Sequence, residues 1–500
     1  RRTSLSGDGQ GGRGEDLRLW RVDLASRLAC ARVVRGGDGA VDDASTGPVS
    51  GFHDLGLVRA SARWGARSFH HTALLPMRRR RGRELLVTAD AARPIRIAPA
   101  GMEVQGPLGG PWRPAAFRRR PFPLYLTTAH PVHDPASDEL FSVNYGRGFL
   151  DVLRWDEADR VTRTALVDDG GRPLRVRQTM HQLALTERYL LLADTSFHVG
   201  AEQLGLGRLT RRRGLVGALA RRLLRGPPAA HGRLWWVRRD LIGREATAKA
   251  VGVDLPGGIA HLLADFDDEP ALRVHLVQGR GLDLAAWLTR GDRLAHRPEC
   301  PVDEDLLGMV AGPSDVGVFA CLRLDPTTGR IVEAVERWDP ELTWCPGLYA
   351  GVGVGVEDAV VRRHRSLWWF TVGLTPDLAT EHVVARTSGR RLVAAERLRD
   401  LLRSGGLPSR VLRLEGGTLD IEDVATVPDD VTVGAPQLVP AAPGSDGPGW
   451  LSLVAWTPQR AELWLYHPFD LRRGPVCRLA APEFDPGFLM HPAWTPGVEG

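Results

Sequence analysis

The stretch from Pro121 to Leu150, PFPLYLTTAHPVHDPASDELFSVNYGRGFL, decides how the rest of the chain is interpreted. A short apolar strand ends at a histidine, Pro131 and the Asp134-Pro135 pair set a turn, and a second strand covers Glu139 to Asn144. This order predicts a β-rich region in which His130 lies at the end of the first strand.

Three further segments repeat this arrangement of one histidine beside an apolar run. They are TMHQLALTERYLLLADTSF with His181, IAHLLADF with His261 and GFLMHPAWTP with His491. A lone histidine is usually an ordinary core or surface residue, and the chain has 15 of them. These four lie far apart in sequence beside strong strand patterns, as the inner strands of successive propeller blades do. They are therefore candidate ligands of one metal ion, and imidazole suits Fe, Zn, Cu and Ni alike.

The composition favours an all-β fold. The chain has 500 residues with 43% hydrophobic content, which is enough for a large core. Short apolar runs alternate with Gly, Pro and Asp, and the 57 glycines and 36 prolines are typical of a β-protein with frequent turns. Apolar runs meet an acidic turn at Trp155-Asp156 and again at Trp338-Asp339, as in the hairpins of propeller blades. A single β-propeller accommodates this length without dividing into domains.

Charge and cysteine usage exclude several kinds of partner. The net charge of +5 is small, and the basic residues are arginines apart from Lys249, which with abundant Ala, Gly and Pro indicates a GC-rich bacterial genome. No element carries clustered arginines with aromatics between them, so we predict no nucleic-acid partner. The five cysteines share no CxxC spacing, which fits a reducing, cytoplasmic location. Without a long apolar run or an N-terminal signal core, we expect neither a spanning helix nor secretion.

The chain divides into a lead-in and one large body. Residues 1–50 are rich in Gly, Asp, Arg and Ser apart from an apolar patch over Leu17 to Val34, so we expect a loosely ordered lead-in. The β-rich pattern covers residues 51–500. Within it, the GVGVGV run from Gly351 to Val356 lacks the GxGxxG spacing and predicts a packed glycine strand. The segment from Thr375 to Gly406 is interpreted as a polar, Arg-rich insertion.

The pattern over residues 209–226 predicts a basic amphipathic helix. Leu215, Leu219 and Leu223 share one stripe, and arginines flank it on both sides. Such a helix can lie in a membrane interface, with its leucines in the acyl boundary and its arginines on anionic head groups. It can equally pack its leucines on a sheet as a surface helix. The residues alone leave both interpretations open.

Three motifs, TAHPVHDPASDELFSVNYG, MHQLALTERYLLLADTSF and LMHPAWTP, resemble the histidine motifs of the carotenoid oxygenase family. That family comprises the carotenoid cleavage dioxygenases and the retinal isomerohydrolase of animal vision. The resemblance runs in order over most of the chain and implies a seven-bladed β-propeller with a helical and loop cap over an axial metal site. It also implies a set of Fe(II) ligands, with open positions for O2 or substrate: His130, His181, His261 and His491. The neighbouring His133 does not match a motif histidine and is interpreted as a turn residue.

The resemblance also supplies carboxylates behind the ligands, because a metal-bound imidazole usually donates its other N–H to a carboxylate. Asp90, in the strand pair predicted for ELLVTADAARPIRIAP, falls on the first such position and would orient His181. Glu357 falls on the second position and would orient His261.

Other positions depart from the family pattern. Ala435 stands where the third carboxylate is expected, so His491 would lack an acidic partner. Pro492 replaces the usual glycine after His491, and its ring constrains the backbone there. Loss of such a partner typically costs about 10–100-fold in metal affinity or activity.

The resemblance implies a non-haem Fe(II) dioxygenase that uses O2 to cleave a C=C double bond of a carotenoid or apocarotenoid into carbonyl products. An apolar tunnel would hold the polyene, and the segment between the second and third histidines would draw it from a membrane, which implies a location at the inner face of the membrane. Lys249 matches no motif position, which disfavours a stilbene substrate.

Two alternatives stay open from the sequence. The altered motifs are also expected of a propeller that has weakened or lost its chemistry and serves as a lipid- or protein-binding module. A zinc enzyme in which water replaces O2 is the other alternative. The absence of HExxH, GxSxG and P-loop motifs gives no support to metalloprotease, serine hydrolase or nucleotide chemistry.

Overall fold

Strands make up most of the computed structural model, which describes residues 17–23, 28–34, 53–54, 58–61, 65–68 and 72–495, without residues 91–92, 109–117, 119–125, 147, 197–213, 225–230, 281–287, 308, 388, 390, 442–443, 445–446, 483, 485 and 487–489. The expectation of an all-β, propeller-like fold is confirmed.

Two small sheets come first in the chain. Their strands are β1 (Leu17–Asp23), β2 (Leu28–Val34), β3 (His53–Asp54), β4 (Val58–Ser61) and β5 (Gly65–Ser68). The antiparallel pair β1 and β2 is formed by the apolar patch of the lead-in. The other lead-in residues lie outside the described residues, so the boundary near residue 50 stays a prediction.

The strands of the main body follow in chain order. The first group is β6 (Ala73–Arg79), β7 (Gly82–Thr88), β8 (Ile95–Ile97), β9 (Val104–Pro107), β10 (Val132–Asp134), β11 (Glu139–Gly146), β12 (Phe149–Trp155), β13 (Val161–Val167), β14 (Thr179–Leu185), β15 (Tyr189–Thr195), β16 (His231–Arg238), β17 (Thr247–Lys249) and β18 (Val251–Pro256). The second group is β19 (Ile259–Ala264), β20 (Leu272–Gly279), β21 (Gly317–Leu324), β22 (Ile331–Arg337), β23 (Pro346–Gly351), β24 (Ser366–Thr371), β25 (Arg410–Glu415), β26 (Ile421–Thr426), β27 (Thr432–Val433), β28 (Gln437–Val439), β29 (Trp450–Trp456), β30 (Ala461–Tyr466) and β31 (Cys477–Leu479).

Four of the sheets have the size of propeller blades. They consist of β6 to β9, of β10 to β13 with β17, of β23 to β26, and of β27 to β31. A larger eight-stranded sheet contains two groups, β14 with β15, β16 and β18, and β19 to β22. The strand pairing that joins the two groups is the parallel bridge of Thr195 and Ile259, next to which the backbone N–H of Ser196 donates to the carbonyl of Ile259 at 2.7 Å. The count of seven blades stays a prediction.

Strand ends follow from turn chemistry that the sequence displays. Between β12 and β13, the Asp156 carboxylate accepts the backbone N–H groups of Ala158 at 3.0 Å and Arg160 at 2.9 Å, which closes an Asx turn. Between β10 and β11, Asp138 takes a left-handed backbone with φ of 54°. These turns set the register that buries one face of each strand.

The core lies between neighbouring sheets. Val143 of β11 and Val152 of β12 belong to the same buried cluster as Leu190 and Leu192 of β15 and Trp235 of β16. Packing sheets face to face removes the apolar face of each from water, which is the main driving force for this fold.

The helices are short, so the helical part of the predicted cap is minimal. They are α1 (Leu215–Leu224), α2 (Glu381–Arg386) and α3 (Ala395–Arg403), with 3₁₀ turns at Arg239–Leu241, Glu304–Leu306, Pro376–Leu378 and Leu471–Arg473. None of the described helices is long and apolar enough to cross a bilayer. The insertion from Thr375 to Gly406 lies between the adjacent strands β24 and β25 and contains α2 and α3.

The GVGVGV run is not a strand along its whole length, which corrects the sequence prediction. Strand β23 ends at Gly351, and turns follow it. Gly353 and Gly355 adopt φ of 80° and 64°, a backbone that non-glycine residues rarely take. Glycine therefore serves here to form turns rather than to pack a strand.

Candidate metal centre

Four histidines meet at one point in the molecule. His181 lies on β14 and His261 on β19, which begin the two groups of the eight-stranded sheet. His130 precedes β10, and His491 comes from the C-terminal segment. Their candidate ligand atoms all lie within 4.8 Å of one another. The His130 ring centroid is 4.8 Å from that of His181, 5.5 Å from that of His261 and 4.5 Å from that of His491.

Threonine side chains anchor the TTAH segment that presents His130. The Thr127 hydroxyl donates to the carbonyl of Ala89 at 2.8 Å, just after β7. The Thr128 hydroxyl donates to the carbonyl of His181 at 2.7 Å, and the His130 backbone N–H donates to the same carbonyl at 3.1 Å. The segment is thus fixed between β7 and β14, which places two histidines at a set separation.

β-Bulges aim the histidines of both central strands. The pairing of β14 with β15 shifts register between Thr179 and Gln182, and that of β19 with β20 shifts between Ile259 and His261. An extra residue in a strand re-aims the side chains beside it. The consecutive side chains of His181 and Gln182 are both buried, and both reach His261: the two imidazole centroids are 5.2 Å apart, and Gln182 hydrogen-bonds the His261 ring.

Asp90 lies behind His181. Nδ1 of His181 is 2.8 Å and 3.0 Å from the two carboxylate oxygens of Asp90. A carboxylate only accepts, so Nδ1 carries the proton and Nε2 is the unprotonated nitrogen. The backbone carbonyl of Asp90 accepts the N–H of Thr127 at 2.8 Å, which ties the acid to the TTAH segment.

His261 has an amide partner that sequence analysis missed. Nδ1 of His261 is 2.9 Å from Oε1 of Gln182, and the backbone N–H of Leu262 donates to the same oxygen at 3.1 Å. The backbone donor identifies this atom as the amide oxygen, so the imidazole must be the second donor and its Nε2 is unprotonated. Nε2 of Gln182 donates in turn to the Tyr349 hydroxyl at 2.6 Å. The position of Gln182 directly after His181 in the TMHQ motif was the sequence signal that could have identified this partner.

Glu357 is not the partner of His261 among the described residues, which corrects the sequence prediction. Its carboxylate instead accepts a hydrogen bond from Nε of Arg83 at 3.1 Å. The turns that follow β23 carry Glu357 to β7, where Arg83 forms an ion pair with it.

The turns after β23 also hold the segment that carries His491. The backbone N–H of Trp494 donates to the carbonyl of Gly355 at 2.8 Å, and Val356 pairs with Trp494 in a parallel bridge. A Cβ on Gly355 would lie 3.1 Å from the carbonyl oxygen of Pro492, tighter than ordinary contacts. Glycine at this position lets the C-terminal segment approach closely enough to place His491 in the cluster.

No carboxylate contacts the His491 ring in the described part of the chain. Ala435 is buried in an apolar cluster against which Met490 packs. The position where the resemblance expects an acid is therefore occupied by the core.

Burial and mutual proximity keep three of the four rings neutral. Burial, with the neighbouring imidazoles, lowers the pKa of His130 and of His261 well below the ordinary histidine value and that of His491 to about 3. At neutral pH each of these three rings has one unprotonated nitrogen. Nε2 of His130 is buried and has no hydrogen-bond partner among the described residues. Converging neutral imidazoles with such an unmatched nitrogen fit a divalent cation of the Fe, Zn, Cu or Ni group.

The helix α1 exposes its predicted apolar stripe. Leu215 is 90% exposed and Leu219 is 57% exposed, so these two leucines do not pack on a sheet. The side chain of Leu223 and helix residues 209–213 and 225–226 lie outside the described residues.

Two other residues singled out from the sequence lie away from the cluster. Lys249 is exposed on β17 and pairs with Asp169 at 2.6 Å. His133 lies on β10 and is 3.1 Å from an Asp138 carboxylate oxygen. Neither residue touches the four histidines.

None of the four histidines lines either of two cavities, of about 680 Å³ and 530 Å³, that the described residues form. The first is lined mainly by the turns after β23, and the second lies beside β20 and β21. The apolar tunnel therefore stays a prediction.

The fold and the site define an all-β, propeller-like protein with a buried four-imidazole centre. The family model described as RPE65, retinal pigment epithelial membrane protein, matches residues 48–240. The lignostilbene dioxygenase of Pseudomonas brassicacearum has the same fold at 16% identity and a TM-score of 0.53, over 86% of this chain and 75% of that one. A variant of Synechocystis apocarotenoid oxygenase is similar at 15% identity and a TM-score of 0.50, over 86% and 78%. No curated protein matches the sequence.

The chain thus resembles the carotenoid oxygenase family over residues 48–240 and shares its propeller-like fold.

Proposed function

We propose that the protein is a non-haem iron oxygenase that cleaves a C=C double bond of a carotenoid or apocarotenoid with O2. The observation that carries this proposal is the convergence of four histidines, two buried and two half-buried, whose candidate ligand atoms lie within 4.8 Å of one another. His130, His181, His261 and His491 would hold Fe(II), which when bound supplies the redox chemistry for reaction of O2 with the alkene.

The residues around the cluster orient the histidine rings and determine which ring nitrogen carries the proton. Asp90 and Gln182 fix the tautomers of His181 and His261 with the proton on Nδ1, so that Nε2 is the unprotonated nitrogen of each ring. The hydrogen-bonded neighbours of the cluster contribute one carboxylate, that of Asp90.

The proposal also includes the arrangement of the blades around the metal and the route by which the substrate reaches it. The two groups of the eight-stranded sheet would count as separate blades of a seven-bladed propeller, with the histidines on its axis. Loops over that axis would form the apolar tunnel that selects the double bond. The exposed leucines of α1 would place the protein at the inner face of the membrane, where apolar polyenes dissolve.

Metal content is the decisive measurement. Protein made without a polyhistidine tag and with iron supplied is expected to hold close to one iron per chain, and His491→Ala is expected to lose most of it. His133→Ala is the matched control, because that ring lies outside the cluster and should not change iron content. Iron-loaded protein should then consume O2 in the presence of an apocarotenoid.

Iron absent from a folded wild-type protein would contradict the proposal and leave the lipid- or protein-binding module as the better account. Zinc in its place, without O2 consumption, would favour the hydrolytic alternative.

A further inference from the structure

A second cluster of reactive side chains lies on β20 and β21, away from the four histidines. Cys321 on β21 stands directly opposite His275 on β20 in the antiparallel register. Arg273 is two residues before His275 and therefore lies on the same face. Asp265 follows β19, and its backbone N–H donates to the carbonyl of Arg273 at 3.0 Å.

Hydrogen bonds and charge link these groups into one network. Nε2 of His275 is 3.3 Å from Oδ1 of Asp265, which also accepts the backbone N–H of His364 at 2.8 Å. Nη1 of Arg273 is 3.4 Å from the other oxygen of Asp265, and Nε of Arg273 is 3.5 Å from the sulfur of Cys321. The order thiol, imidazole and carboxylate is the arrangement that activates a cysteine nucleophile.

One nitrogen of the His275 imidazole has no partner. With Nε2 directed to Asp265, Nδ1 is buried and makes no hydrogen bond among the described residues, while Cys321 faces His275 across the strand pair. Burial alone would raise the pKa of the Cys321 thiol, but the His275 imidazole and Arg273 outweigh it and lower that pKa below the ordinary cysteine value. The pKa of His275 is raised, against the effect of burial, by Asp265 and Cys321. The pair therefore tends toward thiolate and imidazolium.

Cys321 lies in the wall of a cavity. The residue is 5% exposed, and with Arg273 and Asp265 it lines an open cavity of about 530 Å³, to which Arg323, Arg337 and Glu333 also contribute. Cys345 has a similar exposure of 9%, but it lines neither of the two cavities and burial raises its pKa to about 12. The two thiols therefore differ in the cavity and in the charged partners beside Cys321.

We propose that Cys321 is a reactive thiolate that small hydroperoxides oxidise to a sulfenic acid, which makes this cavity a redox-modification site. The sulfur attacks one peroxide oxygen, so that an S–O bond forms and the O–O bond breaks. Sulfur is oxidised by two electrons and the peroxide is reduced. The leaving hydroxide takes the proton of the His275 imidazolium and departs as water, while Arg273 balances the negative charge that the sulfur carries before attack.

The test is site-resolved chemical labelling of the folded protein. Wild-type protein is treated with hydrogen peroxide and dimedone at pH 6, and mass spectrometry reads each cysteine. We expect labelling of Cys321 to exceed that of Cys300 and Cys477 by about tenfold, because a larger fraction of it is thiolate at this pH. Cys345 should stay unlabelled.

Variants of the neighbouring residues test whether the reactivity of Cys321 depends on His275 and Arg273 or only on its access to the cavity. His275→Gln and Arg273→Gln should each reduce Cys321 labelling at pH 6 by about tenfold and shift its iodoacetamide rate profile to higher pH. Arg323→Gln is the matched control, because Arg323 lines the same cavity but pairs with Glu333 at 3.0 Å rather than with the sulfur. Circular dichroism checks that each variant is folded.

Two results would overturn the proposal. One is labelling of Cys321 that does not exceed that of Cys300 and Cys477 in folded wild-type protein. The other is equal labelling in wild type and in whichever of His275→Gln and Arg273→Gln folds, which would assign the reactivity to access alone.

Discussion

At the scale of single residues, the two central histidines differ in the partner behind them. His181 donates to the carboxylate of Asp90, whereas His261 donates to the neutral amide of Gln182. A carboxylate partner makes an imidazole a stronger donor to a metal than an amide does. The carboxylate of Asp90 therefore orients one of the two histidines and the amide of Gln182 orients the other. We expect His261, which has the amide partner, to be the weaker metal ligand.

Replacing Gln182 tests that difference. Gln182→Leu removes the acceptor for Nδ1 of His261 and is expected to weaken Fe(II) binding about 10–100-fold, whereas Gln182→Glu is expected to strengthen it by about tenfold. Competition with a chelator measures both affinities without any assay of activity. Equal affinities in wild type and both variants would show that this hydrogen bond does not position His261.

The Tyr349 hydroxyl supports the same amide from the other side. Tyr349→Phe leaves Nε2 of the buried Gln182 without its acceptor, which should lower the free energy of unfolding by about 1–3 kcal/mol. Urea denaturation measures the loss. Tyr466→Phe is the control, because Tyr466 is also a buried residue but its hydroxyl makes no hydrogen bond to another described residue, so its removal should cost less. A larger loss from the control would contradict this account.

The sequence predicted which histidines to examine but not all of their partners. His130, His181, His261 and His491 stand out because each follows or begins a strong strand pattern. The role of Gln182 depends on a bulge in β14, and a bulge leaves no clear mark in the alternation of side chains. Glu357 was assigned by resemblance along the chain, yet turns after β23 carry it to Arg83.

At the scale of elements, strands were predicted better than helices. Alternation and acidic turns identify hairpins such as β12 and β13 from a few neighbouring residues. The insertion from Thr375 to Gly406 was interpreted only as polar, although Leu398, Leu401 and Leu402 recur at helical spacing and are buried by α3. The arginines of that helix make the segment polar on average, so its short apolar stripe was not recognised as helical.

Helix α1 carries the prediction about membranes. If Leu215 and Leu219 enter the acyl boundary, Leu215→Glu with Leu219→Glu should reduce binding to vesicles of anionic and zwitterionic phospholipid by at least about tenfold, since each buried leucine is worth about 1.5–3 kcal/mol. Vesicle sedimentation measures the bound fraction. Val332→Glu, at a 60% exposed apolar residue on β22, should leave binding unchanged. Equal loss in the control would assign the effect to charge alone.

At the scale of the whole molecule, the sequence predicted the class of fold but not how sheets join. The alternation of apolar and polar residues is enough to predict an all-β chain, because within each strand it shows which face is buried. The parallel strand pairing between the two groups of the eight-stranded sheet is that of Thr195 and Ile259, which lie 64 positions apart in the sequence. Such a contact depends on the packing of whole sheets, which no local pattern contains.

The buried histidines make the stability of the metal-free protein depend on pH. Burial lowers the pKa of His130 and His261 well below the ordinary value, that of His491 to about 3 and that of His364 to about 4. Near pH 5 the unfolded chain binds protons on these residues, because its histidines titrate near pH 6.5, while the folded chain does not. Stability therefore falls as pH drops below about 6.5, by up to about 1.4 kcal/mol per pH unit for each group.

For the four groups together, the slope of unfolding free energy against pH should approach about 5 kcal/mol per pH unit between pH 6 and pH 5. The raised pKa of His275 does not oppose it there, because that residue is protonated in both states below its unfolded value. Urea denaturation of chelator-treated protein at pH 7, 6 and 5 measures the slope. His491→Gln should reduce it by about 1.4 kcal/mol per pH unit, the share of one proton. An unchanged slope in this variant would mean that the His491 imidazole is already protonated in the folded metal-free protein at these pH values. That result would contradict the lowered pKa of His491.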